Sequence, residues 1–249
     1  MDERQKLEQT IRSIEAQRAL LGNAVVETAL APLREKLAAL QSTTEQQRKQ
    51  VTILFADVSS FTTSAEQLDA EDLNDIMNEL WQNLDRIVLD HGGRIDKHIG
   101  DALMALWGSE TSKEDDPERA ILAALEMQTA AEAMAKQMHL PEEQAALLKI
   151  RVGLHTGPVV LGRVGTQGEF TAMGDAVNSA SRLEHAAPVG GVIVSHDTYR
   201  HVQGVFNVRK LEALSLKGKS ETVRAYLVLS AKPRAFRIPT RGVEGIETA

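Results

Sequence analysis

The chain alternates between two hydrophobic rhythms. Over residues 51–58 apolar side chains follow one another almost without interruption, as expected of a strand buried on both faces. After Asp69 the period lengthens. Leu73, Ile76, Met77, Leu80, Leu84, Ile87 and Val88 fall on one helical face, which Gly92-Gly93 ends. Residues 94–107 return to strand character and are divided by Gly100-Asp101, which predicts a hairpin with a type II′ turn. Asp116-Pro117 opens a second helix bearing Ile121, Ala124, Leu125, Ala131, Met134 and Met138. Residues 150–155 and 159–164 read as another hairpin about Thr156-Gly157-Pro158, residues 175–187 as a short helix, and 192–195, 206–211 and 223–229 as further strands.

This order, β-α-β-β-α-β with additions, predicts an α+β fold. Its core is a ferredoxin-like βαββαβ unit with added strands, in a sheet rich in antiparallel pairs with its helices on one face. Helices precede it. Residues 2–48 are rich in Glu, Gln, Arg, Ala and Leu, with Leu7, Ile11, Ile14 and Leu21, then Leu30, Leu33, Leu37 and Leu40, at helical spacings. Gly22-Asn23 and Pro32 predict two or three helical pieces there. Segment 1–48 is then either a coiled-coil-like dimerising or transducing element or a helical pair folded on its own domain. Residues 49–230 form the main domain. Residues 231–249, with Pro233, Pro239, Gly242 and Gly245, read as a linker or tail, and hint that the chain is a fragment of something longer.

Composition narrows the function. The net charge of −7 argues against a nucleic-acid partner. With no cysteine there is no disulfide, thiolate zinc site or cysteine nucleophile. No run approaches the ~18 apolar residues of a membrane span, and Met1-Asp-Glu-Arg lacks the form of a signal peptide. A soluble cytoplasmic protein is expected.

Two carboxylates stand out, Asp57 closing the first strand and Asp101 at the hairpin tip. Carried to one edge of a sheet, such a pair suits two divalent ions that activate a hydroxyl and hold a triphosphate. They belong to a series of motifs. These are Phe55-Ala-Asp57-Val58-Ser59-Ser60-Phe61-Thr62, Lys97-His-Ile-Gly-Asp101 and Arg151-Val-Gly-Leu-His-Thr-Gly157, followed by Phe170-Thr171-Ala-Met-Gly-Asp-Ala-Val-Asn178-Ser-Ala-Ser-Arg182 and Leu216-Lys217-Gly-Lys219. A turn into a helix start presents N–H groups to an anion, and an inward Arg at a strand start calls for an anionic partner. Asn178 and Arg182 share one helical face. His98 and His155 lie near the motifs and read as structural.

Over residues 50–229 this series resembles the class III nucleotidyl cyclase catalytic domain. The resemblance implies conversion of ATP to 3',5'-cyclic AMP and pyrophosphate at the interface of a homodimer with shared sites. It implies that two divalent cations, Mg²⁺ or Mn²⁺, are held by Asp57, Asp101 and the backbone oxygen of Val58. The amides of Ser59, Ser60, Phe61 and Thr62 would cradle the β- and γ-phosphates, and Arg151 and Lys217 would hold the triphosphate. Asn178 would position the ribose, and Arg182 of the opposite subunit would stabilise charge at the α-phosphate. Ser60 stands where the family usually has Gly, which bears on the phosphate loop and leaves the metal ligands intact.

Lys97 and Thr171 would read the base. A Thr oxygen accepting from the adenine amine, with Lys97 donating to N1, fits ATP, whereas guanylate cyclases typically carry Glu where Lys97 stands. Thr at 171 resembles a bacterial and soluble-type adenylate cyclase subgroup that is often bicarbonate-responsive. Two alternatives remain open, a guanylate cyclase and a non-catalytic cyclase-like module that binds nucleotide or drives dimerisation. The tail is similar to the linker that leads, in some longer bacterial cyclases, into an ATPase and helical-repeat region.

Overall fold

The computed structural model describes residues 3–18, 22–44, 47–58, 70–139, 141, 145, 148–164, 169–212 and 222–233. The chain divides into two compact units, residues 1–48 with 160–171, and residues 49–159 with 172–249.

In the first unit, α1 (Glu3–Ala16) and α2 (Asn23–Thr44) pack on each other. Ile11, Val26 and Leu30 are buried between them, with Ile14, Leu33 and Leu37 alongside. Arg34 bridges Glu15 on α1 at 2.8 Å and Glu27 on α2 at 3.0 Å. The helical run breaks at Gly22, as expected, but continues through Pro32. Pro32 lies on the exposed side. The apolar row on the other side runs unbroken from Val26 to Leu37, and its burial outweighs the missing backbone hydrogen bond.

The strands form a mixed sheet ordered β2-β3-β1-β4-β6-β8-β7, with β5 pairing to β4; residues 160–164 of β4 and 169–171 of β5 fall in the first unit. Its strands are β1 (Gln47–Val58), β2 (Arg94–Ile99), β3 (Ala102–Trp107), β4 (Ile150–Val164), β5 (Glu169–Met173), β6 (Val192–Ser195), β7 (Phe206–Lys210) and β8 (Ala225–Ala231). Strand β1 is buried from Val51 to Ala56 on both faces. It pairs antiparallel with β3, bringing Asp57 opposite Ala102, beside the turn that joins β2 to β3. Gly100 in that turn has φ +61°, which is the first central position of the expected type II′ geometry.

Helices α3 (Ala70–Asp90) and α4 (Asp116–Gln137) cover one face of this sheet. Helix α5 (Asp175–Ala186) covers the other, and α6 (His196–His201) follows β6. The expectation of helices on one face is therefore corrected. In β6, Val192 and Val194 join the core beneath α3 and α4, whereas Ile193 joins Leu183 and Ala187 of the α5 side. A strand buried at every position needs cover on both faces.

The second hairpin expected at 150–164 is also corrected, because β4 runs unbroken through Thr156-Gly157-Pro158. Gly157 is absent from the residues of positive φ, so it makes no turn. It is small because a Cβ there would meet the His155 ring at 2.8 Å and Ala176 at 3.1 Å. Pro158 is exposed, a position where a strand tolerates a missing N–H. No helix among the described residues is long and apolar enough to cross a membrane.

Candidate active site

The sheet edge at the end of β1 gathers the charged residues. The amide of Val58 donates to the carbonyl of Asp101 at 3.1 Å, tying the strand end to the hairpin tip. Asp57 is 14% exposed at its side chain and is ion-paired with Nη2 of Arg151 at the start of β4. Beyond Arg151 stands a residue that the motifs did not flag, Glu184 on α5. Its side chain is 2% exposed and its Oε1 lies 3.7 Å from Nε of Arg151. Its second oxygen is 2.8 Å from Nδ1 of His185.

Helix α5 reaches this position because β4 has a glycine beneath it. A Cβ on Gly153 would fall 2.1 Å from the amide nitrogen of Glu184 and 2.6 Å from the carbonyl of Ala180. Burial pushes the Glu184 carboxyl up to about 7, with Asp57 and Asp101 acting in the same direction, while His185 and Arg151 oppose the rise. Glu184 could have been found in the sequence. It continues the inward stripe of Ala176, Ala180 and Leu183 on α5, where a solvated carboxylate would not lie.

Lys97 sits on β2, its Nζ 3.5 Å from Oδ2 of Asp96. Asp96, at an irregularity in the β2–β3 register, has no exposed side-chain surface and also accepts from Arg94 at 3.0 Å. Sequence reading missed this brace as well. The two histidines near the motifs have partners, His98 with Asp85 at 3.2 Å and His155 with Ser195 at 2.9 Å.

Asn178 and Arg182 ride on α5, the first exposed and the second half-buried. At ~100° per residue Arg182 points about 200° away from Glu184 around the helix, and Asn178 stays on the side of Arg182. The structure thus joins Asp57, Val58, Asp101 and Arg151, and among the described residues no hydrogen bond or ion pair links Arg182 to them. Thr171 is buried on β5 in the first unit. Ser59, Ser60, Phe61, Thr62 and Lys217 lie outside the described residues.

Carboxylates such as those of Asp57 and Asp101 are hard oxygen donors, the type that suits Mg²⁺ or Mn²⁺. The Arg151 guanidinium in contact with Asp57 sets an anion-binding group beside a cation-binding one.

A family model for the adenylate and guanylate cyclase catalytic domain matches residues 43–230. An adenylate cyclase of Mycobacterium tuberculosis is 32% identical over 196 residues, covering 78% of this chain and 43% of that protein. Guanylate cyclase 2G of Rattus norvegicus is 32% identical over 200 residues, covering 78% of this chain and 18% of that protein. The chain thus spans less than half the length of these curated relatives. The crystal structure of the adenylyl cyclase CyaB from P. aeruginosa superposes with a TM-score of 0.70 at 32% identity, covering 76% of this chain and 97% of that one.

Proposed function

The chain belongs to the adenylate and guanylate cyclase catalytic-domain family, and we propose that it converts ATP to 3',5'-cyclic AMP and pyrophosphate at sites shared by two copies of itself. The observation that carries this reading is the cluster of Asp57, Asp101 and Arg151 at one sheet edge, in a fold whose relatives include named adenylate cyclases. Asp57, Asp101 and the Val58 carbonyl would hold two divalent ions. When bound, such ions lower the pKa of an attacking hydroxyl and neutralise charge on a departing pyrophosphate. Arg151, with Lys217 and the amides of Ser59, Ser60, Phe61 and Thr62, would grip the triphosphate. Arg182, about 200° around α5 from Glu184, would serve the partner's α-phosphate, and Asn178 beside it would orient the ribose.

The choice of ATP rests on Lys97 and Thr171. An ammonium donates to adenine N1 and a hydroxyl oxygen accepts from the exocyclic amine, whereas guanine presents the opposite polarity at both places. Asp96 supports this reading by bracing Lys97. Guanylate cyclase activity is the second reading, favoured by a guanylate cyclase matching at 32% identity over 200 residues. Thr171 also supports a response to bicarbonate.

Purified chain supplied separately with ATP and GTP, in Mn²⁺ with and without bicarbonate, tests these points together. Cyclic AMP should dominate, and Asp57→Ala should lower the rate by at least ~10²-fold. Preferential cyclic GMP would overturn the base assignment. Full activity in the Asp57→Ala chain would overturn the metal site, and no cyclic product at any protein concentration would leave a non-catalytic module.

A further inference from the structure

Arg151 and Glu184 face each other across a gap too wide for a hydrogen bond. Their Nε and Oε1 atoms are 3.7 Å apart, and both are buried without a hydrogen-bond partner among the described residues. A charge-assisted N–H···O⁻ contact is normally about 2.7–2.9 Å, so a shift of about 1 Å would satisfy both atoms. The guanidinium is held through Nη2, which pairs with Oδ2 of Asp57. Asp57 is also the carboxylate assigned above to a divalent ion. Two cations that claim one carboxylate each weaken the other's hold on it.

We propose that Glu184 is a positioning residue for Arg151, receiving its guanidinium when Asp57 engages a divalent cation. This rests on the metal-site reading above. On that basis Arg151 is not a fixed anion clamp. It moves between Asp57 and Glu184, and its move clears Asp57 for metal while keeping a positive charge beside the triphosphate. Glu184 suits the receiving role because its own place is fixed. Helix α5 is pressed onto β4 at Gly153, and the Glu184 side chain is only 2% exposed. The arginine, at 30% side-chain exposure, has a long stem that can swing.

Mn²⁺ binding to the full chain without nucleotide, followed by the resonance signal of free Mn²⁺, reads this exchange independently of turnover. Glu184→Gln keeps the size and removes the charge. It should weaken Mn²⁺ binding about tenfold when Arg151 is present and less than about twofold in an Arg151→Ala background, a coupling within the range found for contacting groups. Equal losses in the two backgrounds would overturn the proposal, since a carboxylate that only adds negative charge or packs the helix acts whether or not Arg151 is there. If Glu184→Gln does not fold by circular dichroism, Glu184→Asp replaces it. That variant keeps the charge one methylene farther from Arg151, should weaken binding about threefold, and must show the same dependence on Arg151. Asp57→Ala separates the two levels. Mn²⁺ binding that survives it removes the metal-site reading and this proposal together. Binding that needs Asp57, with additive effects of Glu184 and Arg151, removes the exchange alone.

Discussion

Among the described residues, Glu184 is the one whose protonation the fold has altered most visibly. Its carboxyl moves from 4.5 to about 7, first through burial, then through Asp57 and Asp101, with His185 and Arg151 opposing. The folded chain therefore holds this proton more tightly than the unfolded chain does. The contribution to stability is fully present below 4.5 and is lost as pH rises toward about 7, at no more than ~1.4 kcal/mol per pH unit. A Glu184→Gln chain lacks that slope. Thermal unfolding of both proteins at about pH 5 and about pH 8 should show the midpoint difference moving in favour of the variant as pH rises. A difference that stays constant would mean that Glu184 is ionised throughout. Asp96 gives a second test at this scale. Its side chain has no exposure and lies between Arg94 at 3.0 Å and Lys97 at 3.5 Å. Asp96→Asn should lower stability by about 2 kcal/mol and reduce the ratio of kcat/KM for ATP over GTP, because Lys97 loses its brace. Stability lost with the ratio unchanged would place Asp96 outside base choice. Asp57, Asp101 and Arg151 were legible from the sequence because each sits inside a contiguous motif. The inward position of Glu184 was legible in the stripe of α5, but its pairing with Arg151 was not, nor was the bracing of Lys97 by Asp96, since these arise from a partner distant in sequence and from a local irregularity in strand register.

At the scale of elements, the approach of α5 to β4 decides how the site is built. Backbone atoms of Ala180 and Glu184 occupy the space where a Gly153 side chain would begin, and backbone cannot yield as a flexible side chain can. Gly153→Ala should cost about 3 kcal/mol or more and displace Glu184, Asn178 and Arg182 together, so cyclase activity should fall with the unfolding midpoint. An unchanged midpoint would show that the helix can lift without consequence. The same contact explains which elements could be read in advance. Strand β1, the β2–β3 hairpin and helices α3 and α4 follow from local periodicity, because each buries a pattern written in its own residues. Strand β4 was misread because Gly157-Pro158 is a local turn signal, whereas the conformation there is settled by neighbouring strands and by the crowding of Gly157 against His155 and Ala176. The face taken by α5 was misread for a related reason. A short amphipathic helix specifies that it has an inward side, but the β6 side chains, buried alternately in two clusters on opposite faces, specify which side of the sheet is left to cover.

The whole-molecule consequence follows from the single inward face of α5. That face delivers Glu184 to the chain's own Arg151, so Arg182, about 200° around the helix, is directed elsewhere. If Arg182 is needed at the α-phosphate, no single chain contains a complete site. Specific activity should then fall on dilution as dimers dissociate, and activity independent of concentration down to low nanomolar would require a very tight dimer or a self-sufficient chain. Mixing two inactive variants distinguishes those cases. In a two-fold dimer each interface carries two equivalent sites, and every site draws Asp57 from one chain and Arg182 from the other. A heterodimer of Asp57→Ala and Arg182→Ala chains has one site with both lesions and one with neither. Equal mixing places half the chains in heterodimers, each with one working site of two, so about one quarter of native activity should return. The readout is cyclic AMP formed after unfolding and refolding the two variants together, with heterodimer content measured through a size tag on one chain. Heterodimers that form and remain inactive would show that Arg182 acts within its own chain or not at all, and the geometry of α5 would have to change on binding substrate to allow the former.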